Sequence, residues 1–250
     1  MSRLPFPRFS TSTEHVYCWC GVVVVLVAAW PASATPDSES VRSAEQIITR
    51  VVKRSQKQDY ELQGYSVTRR YTLRNPHING EASMTVLLEY KAGRGKKFTI
   101  QRSAGPGVAQ RALLSVLRDE EKSSKERPSE NAVNPANYVF TLMGEETHEG
   151  RLCYRFRVVP RQDSKFLLDG ELWVDVKDLA VVEIKGRPAK NLSFWVGRPL
   201  IDQHFAPVQG FWMPSGNQTS TQVRIAGETQ LNIEYWDYKF NLPAASLRAP

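Results

Sequence analysis

The sequence predicts a mainly β fold of the α+β class, a curved antiparallel half-barrel under a lid of two helices. Three observations carry that expectation. Apolar and polar side chains alternate along most of the chain, whereas only residues 41–58 and 106–121 repeat at the helical period. About nine or ten strands result, and an antiparallel sheet that long curls rather than staying flat. All four tryptophans beyond residue 35, Trp173, Trp195, Trp212 and Trp236, fall in the last third of the chain, where rings on both faces of the strands fit a wall around an apolar cavity.

Residues 1–34 read as an export signal. Arg3 and Arg8 precede the apolar run GVVVVLVAAW at 21–30, and Ala32-Ser33-Ala34 gives a small-x-small cleavage pattern, with processing expected after about Ala34. The uncharged stretch 16–30 is shorter than the roughly 20 residues that a bilayer core needs. Cys18 and Cys20 precede the apolar run rather than end it, which argues against a lipid anchor. Cys153 is then the one cysteine of the mature chain, so no intrachain disulfide forms. The expected organisation is a signal at 1–34, one half-barrel domain at 35–242 and a short tail at 243–250.

Val41, Ala44, Ile47, Ile48, Val51 and Val52 make one stripe of the first helix. The period then changes to two. Tyr65, Val67, Tyr71 and Leu73 define a first strand, Met84, Val86, Leu88 and Tyr90 a second, and Phe98 and Ile100 a third, joined by turns at Asn79-Gly80 and 92–95. Val108, Ala109, Ala112, Leu113, Val116 and Leu117 form the stripe of the second helix. Residues 119–136, charged and carrying two prolines, are expected to be a mobile loop. Further strands are expected at about 137–147, 151–158, 166–176, 179–187, 193–205, 210–225 and 228–240. Turns are placed at Glu149-Gly150, Asp169-Gly170, 186–188, Gly210 and Ala226-Gly227.

No residue set demands catalysis. The chain has no GxSxG elbow, P-loop, HExxH pairing or GxGxxG after a strand. Glu145, Glu146, His148 and Glu149 share a hairpin turn and are read as charges facing water, and Asp169, Asp175 and Asp178 as turn acids. No catalytic, cofactor or metal residue is assigned. The formal charge of +7 does not signal nucleic acid, because Arg151, Arg155 and Arg157 lie on the strand face opposite Tyr154 and Phe156. A mean hydropathy of −0.40 argues against a polytopic membrane protein.

The run GEETHEGRLCYRFRVVPRQDSKFLLDGELWVDVKDLAVVEIKGRPAK at 144–190, followed by SFWV and GFWMP, resembles the bacterial outer-membrane lipoprotein-sorting family, LolA/LolB-like. The resemblance rests on the Gly150-Arg151 and Cys153-Tyr154 hairpin, the Val159-Pro160-Arg161 strand end and the Leu172-Trp173-Val174-Asp175 strand. It extends more loosely over 41–240. It implies a LolA-like incomplete barrel with a helical lid, whose hydrophobic cavity carries lipoprotein acyl chains across the periplasm without a cofactor. The partners it implies are lipid or lipoprotein acyl chains. The alternative is a periplasmic sensor or scaffold of the same fold that binds a lipoprotein or membrane-protein partner. Trp173, Trp195, Phe211, Trp212 and Trp236 are the candidates for the cavity wall. Where the family has a strand ending in Arg-Pro and aromatic residues, this chain offers Phe98-Thr99-Ile100-Gln101-Arg102, and no lid-locking arginine is assigned.

Overall fold

The computed structural model describes residues 38–76, 81–126, 132–190, 197–223 and 227–241. The expected export segment, Trp195 and the 243–250 tail lie outside them. Helix α1 (Ser38–Glu61) leads into the strands β1 (Gly64–Arg74), β2 (Glu81–Lys91) and β3 (Gly95–Ala104), and helix α2 (Gly107–Glu126) follows. The rest is strand: β4 (Tyr138–His148), β5 (Arg151–Pro160), β6 (Leu168–Asp175), β7 (Val181–Pro188), β8 (Leu200–Val208), β9 (Phe211–Val223) and β10 (Gly227–Asn241). All ten strands form one curved, unclosed antiparallel sheet in the order β3-β2-β1-β10-β9-β8-β7-β6-β5-β4. Each meander pairs neighbour with neighbour, and the last strand returns to lie against the first, from Gly64↔Asn241 to Arg74↔Gln230.

Both helices lie on the same face of this sheet, as the register shows. Ile184, Gln203, Asn217, Ile233 and Tyr71 are partners in turn across β7, β8, β9, β10 and β1, so they share a face. At one end of that rung Ile184 packs with Ala44, Ile48 and Val51 of α1. At the other, Tyr71 and Ile233 pack with Ala109, Leu113 and Leu117 of α2. The helices thus cover the two flanks of an inner face, α1 over β4–β7 and α2 over β1–β3, and β8–β10 form the stretch between. Among the described residues no helix is long and apolar enough to cross a membrane.

Three expectations are corrected. The second helix runs five residues past 121, to Glu126, into the segment expected to be a loop. One tertiary contact and one pair within the helix hold that extra turn: Ser124 Oγ accepts from the Lys96 amide at 2.9 Å, and Lys125 pairs with Glu121 at 2.7 Å. Its apolar stripe is narrower than expected, since Val108 and Val116 are exposed. Asp169-Gly170 and 186–188 are strand rather than turn, with Gly170 opposite Gly186. The glycines are there because the strands approach closely: a Cβ on Gly170 would overlap the Lys185 carbonyl oxygen, and one on Gly186 would stand 2.6 Å from the Asp169 carbonyl oxygen.

Candidate functional site

The inner face between the helices is apolar at one end of the sheet and polar in the middle. A chain of rings crosses four strands at that end. Tyr90 and Tyr65 are 5.3 Å apart, Tyr65 and Tyr238 6.0 Å, Tyr238 and Phe240 6.0 Å, and Phe240 and Phe211 5.0 Å. All five rings are half-buried. Two rings of β10 reach this face because the strand bulges. Asp237 has φ 56°, the register slips between Ser66 and Thr68, and the inner face passes from Tyr235 to Tyr238 instead of to Asp237. The bulge is tied to β9, as the Tyr238 hydroxyl donates to the Pro214 carbonyl at 2.6 Å.

Beside the rings a cavity of about 390 Å3 opens under α1, with Val51, Val52 and Gln58 on one wall and Ile184, Phe205 and Trp212 among the residues opposite. The amide of Gln58 accepts from the Trp212 backbone N–H and donates to its carbonyl, both at 2.9 Å, so the end of α1 is clipped to the start of β9. In mid-face the Asn217 amide donates to Gln203 Oε1 at 2.9 Å, and Gln203 donates to the Gly216 carbonyl at 2.8 Å. Next to them the Tyr235 phenol is pushed up to about 12, chiefly by burial.

The five wall candidates are dispersed. Phe211 belongs to the inner ring chain. Trp212 lines the cavity, while its indole donates to Asp178 at 3.2 Å and packs with Cys153, Trp173, Ala180 and Val182. Trp173, opposite Glu183 in register, lies on the outer face, away from the helices. Trp236 is also outer, with the Arg70 guanidinium 5.6 Å above its ring. Trp195 lies outside the described residues. Sequence reading missed Tyr65, Tyr90, Tyr238 and Phe240 as a set because it weighted tryptophans, and the bulge hides the parity of β10. The polar Asp237 between Trp236 and Tyr238 was the available signal.

On the outer face the turn read as charges facing water is partly buried. Glu146 accepts from the Trp173 indole at 2.6 Å, and His148 stacks on the same ring at 4.5 Å. His148 Nε2 lies 2.6 Å from Glu183 Oε2, and His204 Nδ1 lies 3.1 Å from Glu149 Oε1 and 3.6 Å from Glu183 Oε2. His204 Nε2 lies 3.1 Å from Asp202 Oδ1, whose other oxygen accepts from Lys185 at 2.6 Å. Burial pushes the Glu183 carboxyl above its ordinary range; His148 opposes the shift and the neighbouring Asp202 adds to it. Two histidines and three carboxylates, residues able to hold a metal, therefore meet from three segments. Cys153 is buried, and burial with Asp175 nearby lifts its thiol to about 11.

No family model and no curated protein matches the chain. Solved structures resemble it in fold. A DUF1329 family protein from Desulfovibrio piger is 12% identical, with a TM-score of 0.45 over 84% of this chain and 99% of that one. A putative outer membrane lipoprotein-sorting protein domain from Vibrio parahaemolyticus is 13% identical, with a TM-score of 0.45 over 83% of this chain and 97% of its own. A LolA superfamily protein from Nitrosomonas europaea is 11% identical, with a TM-score of 0.44 over 81% and 97%.

Proposed function

We propose that this protein is a non-enzymatic, periplasmic carrier that holds the acyl chains of a lipid or lipoprotein on the inner face of its half-barrel. The observation that carries this reading is the row of five half-buried rings, together with the cavity under α1, on the one sheet face that bears both helices. Roughly 0.8 kcal/mol per buried CH2 is available to draw a chain out of a membrane, and a cavity of about 390 Å3 is within the usual size for a ligand site. Phe211 and Trp212 serve as wall residues with Tyr65, Tyr238 and Phe240. The Gln203–Asn217 amides give a polar spot on the same floor, suited to an ester or amide carbonyl. Native mass spectrometry of protein isolated from membranes is expected to show bound lipid, and a fluorescent fatty acid should bind saturably. Replacing both Phe211 and Phe240 by alanine should weaken the probe at least tenfold. Protein that is consistently empty and does not bind the probe rules the carrier out.

The partner-binding alternative is favoured by a different place. Among the described residues strand β4 is an edge of the sheet, carrying exposed Val139 and Met143 beside exposed Leu152 and Val159 of β5, a surface suited to an added strand. Crosslinked capture of a protein partner through Met143, without bound lipid, would support it over the carrier.

A further inference from the structure

The geometry points to a site for a divalent transition-metal ion of the zinc class on the outer face, formed by His148, Glu149, Glu183 and His204 with Asp202 as the group that orients His204. The site is independent of the acyl-chain groove, which occupies the other face. Its residues come together through the fold. Glu183 and His204 are direct partners in register on β7 and β8. The β4–β5 hairpin bends over them at Glu149 (φ 48°) and Gly150 (φ 76°), and the stack of His148 on Trp173 fixes the approach.

The donor atoms form two triads, His148–Glu149–Glu183 and Glu183–Asp202–His204, that share Glu183. The donor atoms of His148, Glu149 and Glu183 lie within 4.8 Å of one another, and His204 Nδ1 adjoins two of them at 3.1 and 3.6 Å. Metal bonds of about 2.0–2.2 Å in a tetrahedron put neighbouring ligand atoms about 3.4 Å apart. Two imidazoles with carboxylates suit zinc and its neighbours rather than magnesium or calcium, which favour oxygen alone.

One further feature calls for a cation. Asp202 Oδ1 is buried without an aligned hydrogen bond although His204 Nε2 lies 3.1 Å away. A metal on Nδ1 leaves the proton on Nε2, and a small rotation of the ring gives this oxygen its donor, the usual arrangement of carboxylate behind a metal-bound histidine.

The full chain, stripped with EDTA and titrated with ZnCl2 by calorimetry, is expected to take up one Zn(II) per chain. CoCl2 in its place should give the visible bands of a nitrogen–oxygen ligand field. His148→Ala with His204→Ala should weaken uptake at least 100-fold, and Asp202→Asn by about 10–100-fold. Circular dichroism of each variant checks its fold. If the double variant does not fold, the parent decides alone: its Tm should rise with ZnCl2 and stay unchanged with MgCl2. Absence of Zn(II) uptake, equal binding by a folded double variant, or equal stabilisation by MgCl2 overturns the site.

Discussion

Glu120 shows what one side chain can contribute here. It is carried by α2, and Lys96 Nζ and Arg69 Nη1 donate to its Oε1 at 2.6 and 2.9 Å while the Tyr71 hydroxyl donates to Oε2 at 3.2 Å. Arg69 is 3% exposed and its guanidinium lies 4.7 Å from the centre of the Tyr235 ring. Burial alone would raise the Glu120 carboxyl, but Lys96 and then Arg69 outweigh it and hold the group at about 2 instead of 4.5. The ionised form is therefore favoured by folding. Its stabilisation is complete above pH 4.5 and is lost as pH falls towards about 2. Glu120→Gln is expected to lower stability at neutral pH by on the order of 3 kcal/mol, part of it from leaving Arg69 buried without its partner. Urea titrations from pH 7 to 2 should show the variant's acid limb flattened; parallel curves would remove Glu120 as its source.

The first helix is tied to the start of β9 by one side chain, Gln58, which bonds both backbone groups of Trp212. Gln58→Ala removes two hydrogen bonds, a local loss of about 1–3 kcal/mol. Hydrogen exchange should accelerate in the last turns of α1 and at the Trp212 amide while the α2 side is unchanged, and a bound fatty-acid probe should leave faster. Uniform acceleration would instead mean that the clip supports the whole fold. The α1 helix was legible in the sequence because its burial is local: Ala44, Ile48 and Val51 repeat at helical spacing whatever they pack on. The end of α2 was not, because Ser124 there depends on Lys96, 28 residues earlier. The same holds for the His148–Glu183–His204 cluster. Its members are 35 and 21 residues apart, and only strand register joins them. Two of the five rings, Tyr238 and Phe240, were hidden for a related reason, since a single bulge residue, Asp237, changes which side chains of β10 face inwards.

Across the whole molecule, the composition and periodicity foretold the architecture, a long open antiparallel sheet with two helices, but not the seam that unites it. Alternation reveals strands and not their partners, so the pairing of β1 with β10 has no signature in either strand. That seam joins two units, β1–β3 with α2 and β4–β10 with α1, into one sheet. Unfolding should therefore be a single cooperative transition. A chain ending at Val223 lacks β10, leaves the β1 edge unpaired and is expected to lose that transition and aggregate; urea melts with light scattering would show it. A soluble, cooperatively folded truncation would mean that the units are autonomous. The seam also sets a timetable for synthesis. After Arg74 has left the ribosome, 152 residues intervene before Gly227 begins the strand that covers β1. At 5–20 residues per second this is roughly 8–30 s. For that interval the nascent chain carries an open sheet edge with no resident partner, so a holding chaperone has its longest opportunity before the last strand is made.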